Sequence, residues 1–306
     1  MRDMRSLIRG LKSRYFRREF NVVCRAVLLT PPVEVDASSK VVVLSQSYHR
    51  DLYMYLTAAK TFSRYIRPSH FVIVDDGFSM EDQVLIRKHL RRVQFIPRKS
   101  VSSPACPSGG CWERLLSIAD LCADHYVIQL DSDTVTLADP VEVRDCVSRN
   151  ASFTLPTMLG RAFISASHAA NDMAGNESRH IQVLSERALG RIPELAGSEY
   201  IRGCAGFAGF GKGAINREAV ERISRLMRRE LGDDVWAGWG SEQFASNFLI
   251  ANTASKSILP FHAYPYWAPS VDVEQARLIH FIGDHRFTSG AYRRVAMQAI
   301  REGRVD

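Results

Sequence analysis

Apolar positions along the chain fall into short β-branched runs separated by stretches with helical spacing. Lys40-Val-Val-Val-Leu-Ser45 predicts a first core strand. Leu52, Tyr55, Leu56, Ala59 and Phe62 then recur on one face of a helix over residues 50–66, which Pro68 stops. His70-Phe-Val-Ile-Val74 predicts a second strand running into Asp75-Asp76-Gly77. Ser79, with Asp82 three residues on, starts a capped helix to Leu90, and Val93-Gln-Phe-Ile96 is a third strand. This βαβαβ opening predicts an α/β fold: a doubly wound, mostly parallel sheet flanked by helices.

Past a Ser-, Pro- and Gly-rich loop at 98–111, Trp112 to Ala123 has a helical pattern and Tyr126-Val-Ile-Gln-Leu130 that of a buried strand. That strand runs into Asp131-Ser132-Asp133. Alternation sets Asp131 and Asp133 on the same side at the strand's carboxyl end, where open α/β sheets bind ligands. Two adjacent carboxylates repel unless a cation sits between them, and Mg2+ or Mn2+ suits such a pair shared with substrate phosphates. An isolated D-x-D is as readily the start of a polar turn, so the cation reading depends on other parts of the same site. Residues 160–200, polar with helical spacing, predict a helical insertion or lid. Tyr200 to Gly213 interleaves Gly203, Gly206, Gly209 and Gly211 with Phe207 and Phe210, as in a strand closely approached by a ligand or another backbone.

Composition changes this picture mainly at the N-terminus. The 306 residues are 46% hydrophobic and 24% charged, enough to bury one large core. Residues 1–20 hold Arg2, Arg5, Arg9, Lys12, Arg14, Arg17 and Arg18 against Asp3 and Glu19, and so carry +5 of the net +7. The near-neutral remainder argues against a nucleic-acid-binding stripe. Leu7, Ile8, Leu11 and Tyr15 recur at helical spacing between those charges. The segment is either a solvated terminal helix or one that lies on an anionic membrane surface. It lacks the apolar run of a signal or a span. Six scattered cysteines predict reduced thiols in a cytoplasmic protein; the membrane alternative for Met1–Phe20 would set it peripherally on the inner face of the membrane. Cys106 and Cys111 have no second pair at close spacing, which argues against a zinc site. The expected organisation is a basic segment over 1–38, a catalytic domain over 39–290, and a C-terminal helix or tail over 291–306.

Further along lie Trp239-Gly-Ser-Glu242-Gln243-Phe-Ala-Ser-Asn247 and His280-Phe-Ile-Gly283-Asp-His-Arg286. With Asp75-Asp76, Arg114 and Asp131-Ser132-Asp133, this order resembles nucleotide-sugar glycosyltransferases of the GT-A fold across roughly residues 40–287. It looks most like the retaining group that includes glycogenin and the lipopolysaccharide galactosyltransferases. The resemblance implies a Rossmann-like GT-A domain that moves sugar from a nucleotide-diphosphate sugar to a hydroxyl of a glycan or glycolipid, with Mn2+ or Mg2+. By the same resemblance Asp131, Asp133 and His280 hold the metal, and Ser45, Asp75, Asp76, Arg114, Ser132, Gly283 and Arg286 bind the donor. Glu242 and Gln243 are then catalytic, and Gly206, Trp239 and Asn247 meet the acceptor. The chain departs from the group at Glu242, an aspartate there, at Phe244, an acidic residue there, and at Arg286, a lysine there. Asp75-Asp76-Gly77 is closer to inverting GT-A enzymes.

Each residue also has a plainer reading. His280 could be a core histidine beside Phe281, Arg114 a partner of Glu113 or Asp120, Glu242 a surface ion pair, and Trp236 and Trp239 core residues. A nucleotidyltransferase of the same fold would need a glycine-rich loop after the first strand, and Ser45-Gln-Ser-Tyr-His-Arg50 has no glycine. A non-catalytic carbohydrate- or nucleotide-binding protein of this fold is the remaining alternative. Metal-dependent hydrolysis of a sugar nucleotide separates it from an enzyme.

Overall fold

Helix α1 (Arg2–Cys24) precedes strand β1 (Val41–Ser47), whose β-branched run is buried on both faces of the sheet. Helix α2 (Leu52–Ser63) returns the chain to β2 (His70–Asp75), and α3 (Met80–His89) returns it to β3 (Val93–Pro97). At the start of α3, Ser79 and Asp82 cap each other's backbone N–H reciprocally. Helix α4 (Trp112–Leu121) crosses to β4 (Tyr126–Leu130), followed by β5 (Thr134–Thr136), α5 (Val141–Ser148) and β6 (Ser152–Leu155). The 160–200 region is β7 (Ile164–Ser165), α6 (Ala166–Asp172), α7 (Ile181–Leu189) and β8 (Glu199–Tyr200). Strand β9 (Cys204–Phe210), α8 (Arg217–Leu231), α9 (Asp233–Trp236), α10 (Ser241–Ala251), β10 (Lys256–Ile258), β11 (Leu278–His280) and α11 (Ala291–Glu302) complete the chain. The computed structural model describes residues 2–303, without the side chains of 2–9, 284 and 285, so the Leu7 and Ile8 side chains lie outside the described residues.

Seven strands form the central sheet in the order β10-β6-β9-β4-β1-β2-β3, in which only β9 runs antiparallel to its neighbours. Strand alternation divides the core. Val41, Val43, Tyr126, Ile128 and Leu130 face the layer of α1, α2 and α11. Val42, Leu44 and Val127 face the layer of α4, α7, α8 and α10. From β1 the chain builds outward through β2 and β3, then crosses back to add β4 on the other side. That reversal opens a crevice at the carboxyl ends of β1 and β4, and Asp131-Ser132-Asp133 lies there. A two-stranded ladder pairs β11 antiparallel with β5, His280 opposite Thr134, and so brings a residue from far along the chain to the end of β4.

Two segments pack closely into the core. Phe20, Cys24 and Val27 are buried, Phe20 stacks on Tyr292 with ring centroids 4.3 Å apart, and α11 packs on α1 and α2. A boundary at residue 38 would therefore cut through the core. The reason is that α1 has a second apolar face, Phe16-Phe20-Cys24, one turn apart at each step. The 160–200 region is helical as predicted, and Ala166, Ala169, Ile181 and Leu189 pack it into the second core. Among the described residues no helix is long and apolar enough to cross a membrane. All six cysteines are free thiols.

Candidate metal and donor site at the end of β4

Asp131 and Asp133 leave β4 side by side in unequal surroundings. The Asp131 side chain remains 26% exposed, and its backbone N–H donates to Gly206 O on β9 at 2.9 Å. Its carboxylate pairs with the Arg114 guanidinium, which also donates to Oε2 of Glu242 at 3.1 Å. Arg114 is buried in α4 and thus bridges two carboxylates. Asp133 is buried, with Oδ1 3.1 Å from Nε2 of His280 and Oδ2 3.0 Å from an Arg286 nitrogen. Between them, the Ser132 carbonyl accepts from the Tyr292 hydroxyl at 3.2 Å. The β4 turn is thereby fastened to α11.

The two aspartates respond oppositely to these surroundings. Burial raises the Asp131 carboxyl; Arg114 opposes this and the Asp133 charge adds to it. Burial works the same way on Asp133, but the His280 and Arg286 cations overcome it and hold that carboxyl below its ordinary range. His280 is pushed well up: burial disfavours its charge, and Asp133 outweighs burial. Burial lifts Glu242 to about 7, with Arg114 opposing. Asp131, Asp133 and His280 each offer one ligand atom, and these atoms lie within 4.8 Å of one another. Two carboxylate oxygens and an imidazole nitrogen suit a divalent cation, which would offset the like charges that burial forces together. The trio could hold such an ion.

Gly283 has a left-handed φ of 49°, a conformation that favours glycine, in the turn that carries Arg286. Gln243 accepts from the Ala205 N–H at 3.3 Å beside the start of β9, and Trp239 stands 75% exposed just before α10. Trp236 is a buried core residue. Asp75 and Asp76 both stand at the end of β2. There Asp75 accepts from the N–H groups of Gly77 and Phe78 at 2.9 and 2.8 Å, while the exposed Asp76 pairs with Arg98 at 2.5 Å.

Three positions have a different role from the expected one. Ser45 is fully buried and its hydroxyl donates to Leu130 O at 2.6 Å, which removes it as a donor contact. Strand β1 runs two residues further than predicted, so Ser47, 3.5 Å from the Ser132 hydroxyl, stands at its end instead. Asn247 is buried, accepting from Thr154 at 2.6 Å and donating to Gln243 O at 2.8 Å, so both of its polar atoms are engaged away from any acceptor. Gly206 makes room for the His280 ring: an added Cβ would sit 1.9 Å from Cε1. Sequence reading missed Arg98, Asp51 and Cys204. Arg98 bridges Asp76 and Glu113, Asp51 pairs with Arg17 at 3.5 Å near the cleft, and Cys204 touches His280. No motif marks them; their positions come from the crossovers alone.

No family model matches the chain and no curated protein matches its sequence. Solved structures do match. The glycosyltransferase GlyE of Streptococcus pneumoniae TIGR4 superposes with a TM-score of 0.53 at 14% identity, over 86% of this chain and 60% of GlyE. The bifunctional glycosyltransferase WbbM gives 0.49 at 14% identity, over 82% of this chain and 47% of WbbM. The galactosyltransferase LgtC, solved with donor and acceptor sugar analogues, gives 0.45 at 12%, over 83% of this chain and 95% of LgtC. The chain thus spans about half the length of WbbM and 60% of GlyE. At these identities the likeness concerns the fold: the chain has the mostly parallel α/β architecture of the GT-A glycosyltransferases.

Proposed function

We propose that the chain is a divalent-cation-dependent glycosyltransferase moving a sugar from a nucleotide-diphosphate sugar to a hydroxyl of a glycan or glycolipid. The observation that carries this reading is the meeting of Asp131, Asp133 and His280 at the switch point of the sheet, with an arginine on each aspartate. Breaking the bond from anomeric carbon to diphosphate builds negative charge on the leaving oxygens. Mn2+ or Mg2+ held by the trio would supply the offsetting charge. Arg286 serves as the phosphate-binding guanidinium, and Arg114 keeps Asp131 and Glu242 in fixed relation. Asp76, exposed at the end of β2, suits a hydroxyl or ring N–H of the nucleoside.

Glu242 has Oε2 on Arg114 and a buried Oε1 with no partner among the described residues, an oxygen that a sugar hydroxyl entering the cleft would satisfy. The exposed Trp239 ring, just before α10, suits the apolar face of a sugar. The retaining outcome is the one proposed: the departing phosphate oxygen takes the acceptor proton, and Glu242 and Gln243 orient rather than abstract. Screening sugar nucleotides for Mn2+-dependent binding and slow hydrolysis tests the reading. Hydrolysis that EDTA leaves unchanged, or no donor bound at all, overturns it.

Peripheral contact with an anionic membrane has its own support. Opposite the buried stripe of α1, Leu11, Tyr15 and Val22 are exposed and interleaved with exposed Arg14, Arg18 and Arg25. Four arginines line a groove of about 440 Å³ there with Val22 and Tyr53. An apolar strip among cations suits an acidic lipid surface.

A further inference from the structure

Cys204 has no part in the proposed transfer, yet it touches the ring that completes the metal cluster. Its Sγ lies 3.4 Å from Nδ1 of His280, while Nε2 on the far side of the ring is 3.1 Å from Oδ1 of Asp133. The ring cannot readily turn to other partners. Its backbone is fixed by the ladder to Thr134 and a bridge to Tyr266, and its edge lies against the Gly206 backbone. His280 is 4% exposed and Cys204 9%, so water is a poor substitute for either contact.

A neutral imidazole can offer a lone pair at Nε2 only when its proton sits on Nδ1, and a buried Nδ1–H needs an acceptor. We propose that Cys204 is a positioning residue for metal binding. Its sulfur accepts the Nδ1–H of His280 and holds the ring in the tautomer whose Nε2 faces Asp131 and Asp133. The proposal rests on the reading of that trio as a divalent-cation site. The sulfur suits the place because it can accept from Nδ1–H both before and after a cation binds. Without a cation, Nε2–H is held by Asp133; when Nε2 takes a cation, that proton leaves to water while Nδ1–H stays on sulfur. The thiol keeps its own hydrogen throughout.

The test is Mn2+ titration followed by the EPR signal of the free ion, on full-length wild type, Cys204→Ala, Cys204→Ser and Asp133→Asn. Cys204→Ala should weaken Mn2+ binding about 10–100-fold, the usual effect of removing a partner of a metal-bound histidine. Cys204→Ser, which keeps an acceptor, should stay near wild type, and the thermal midpoints of the two variants in chelator should not track their Mn2+ affinities. Long-range 1H–15N spectra of 15N-histidine-labelled wild type with saturating Mg2+, assigned with His280→Gln, should show the His280 proton on Nδ1. A proton on Nε2, equal Mn2+ affinity in Cys204→Ala and wild type, or a serine variant as weak as the alanine one each overturns the proposal. Wild type that binds no more Mn2+ than Asp133→Asn overturns the metal-site reading itself, so the two failures are distinguishable.

Discussion

Arg114 and Arg18 carry the same charge in opposite surroundings. Arg114 is 5% exposed and clamped between Asp131 and Glu242. Arg18 and Arg14 project from the outward face of α1 and Arg25 from the turn that follows it, with no ion-pair partner among the described residues. For the buried arginine a partner is obligatory, because a desolvated charge left with none is stranded at about 3–5 kcal/mol. The surface arginines stay hydrated; each contributes about 1 kcal/mol toward an anionic surface, and salt screens it. Solvation rather than residue type separates the two regions. Single substitutions should therefore break the cleft, while the helix face should fade in steps.

The largest effect is expected at the aspartates, where the cleft's own asymmetry is open to test. Asp131→Ala and Asp133→Ala should each abolish metal-dependent donor binding. Their costs in stability should differ. Asp133→Ala leaves Arg286 and His280 without their shared carboxylate and should cost about 3–5 kcal/mol. Asp131→Ala leaves Arg114 still held by Glu242 and should cost clearly less. Denaturant titrations in chelator measure this, and equal losses would dissolve the distinction between the two aspartates.

Glu242 comes next. In a retaining enzyme Glu242→Gln should lose much less than the roughly 10²–10⁴ in turnover of a missing general base. A loss in that range, with an inverted anomeric product by NMR, would make Glu242 the base. Stability offers a second handle. Burial raises this carboxyl from 4.5 to about 7, so the folded protein binds its proton more tightly than the unfolded chain. The stabilisation is complete below pH 4.5 and is lost as pH rises through 7. Relative to wild type, chelated Glu242→Gln should gain about 2–4 kcal/mol between pH 5 and pH 8. A stability gap that does not change with pH would show that Glu242 is ionised throughout.

How legible the molecule was in its sequence follows the same divide between local and long-range order. The β4 run and its two aspartates could be read because β-branched burial and a polar exit are neighbours in sequence. Ser45 was misplaced because the run does not reveal that β1 continues through Gln46 to Ser47, which carries the polar end of the strand forward. The glycine-aromatic strand was read as closely approached, and it is: Gly206 faces the His280 ring and Gly209 the Phe153 ring. That side chains, not a ligand, make the approach depends on β11 and β6, which are too short for periodicity to locate. The inner face of α1 was hidden by the basic residues around it, since Phe16, Phe20 and Cys24 gain meaning only when Tyr292 arrives from the far end of the chain.

The smallest effect is expected on the outer face of α1, and it needs a design that spares the inner one. Deleting Met1–Phe20 would remove Phe20 from its stack on Tyr292, whose hydroxyl holds Ser132, and would confuse membrane contact with damage to the cleft. Replacing Arg14, Arg18 and Arg25 together with glutamine avoids this, because all three are exposed. Each change should alter stability by less than about 0.5 kcal/mol, as surface substitutions usually do. Metal-dependent hydrolysis of a soluble donor should be unchanged. Flotation on vesicles rich in phosphatidylserine should fall by about 3 kcal/mol in partitioning at low salt, roughly 1 kcal/mol per arginine. At high salt wild type and the triple variant should converge, since screening removes the term that separates them. Equal flotation at low salt would return the outer face to a solvated surface and leave the arginines of the cleft as the functional ones.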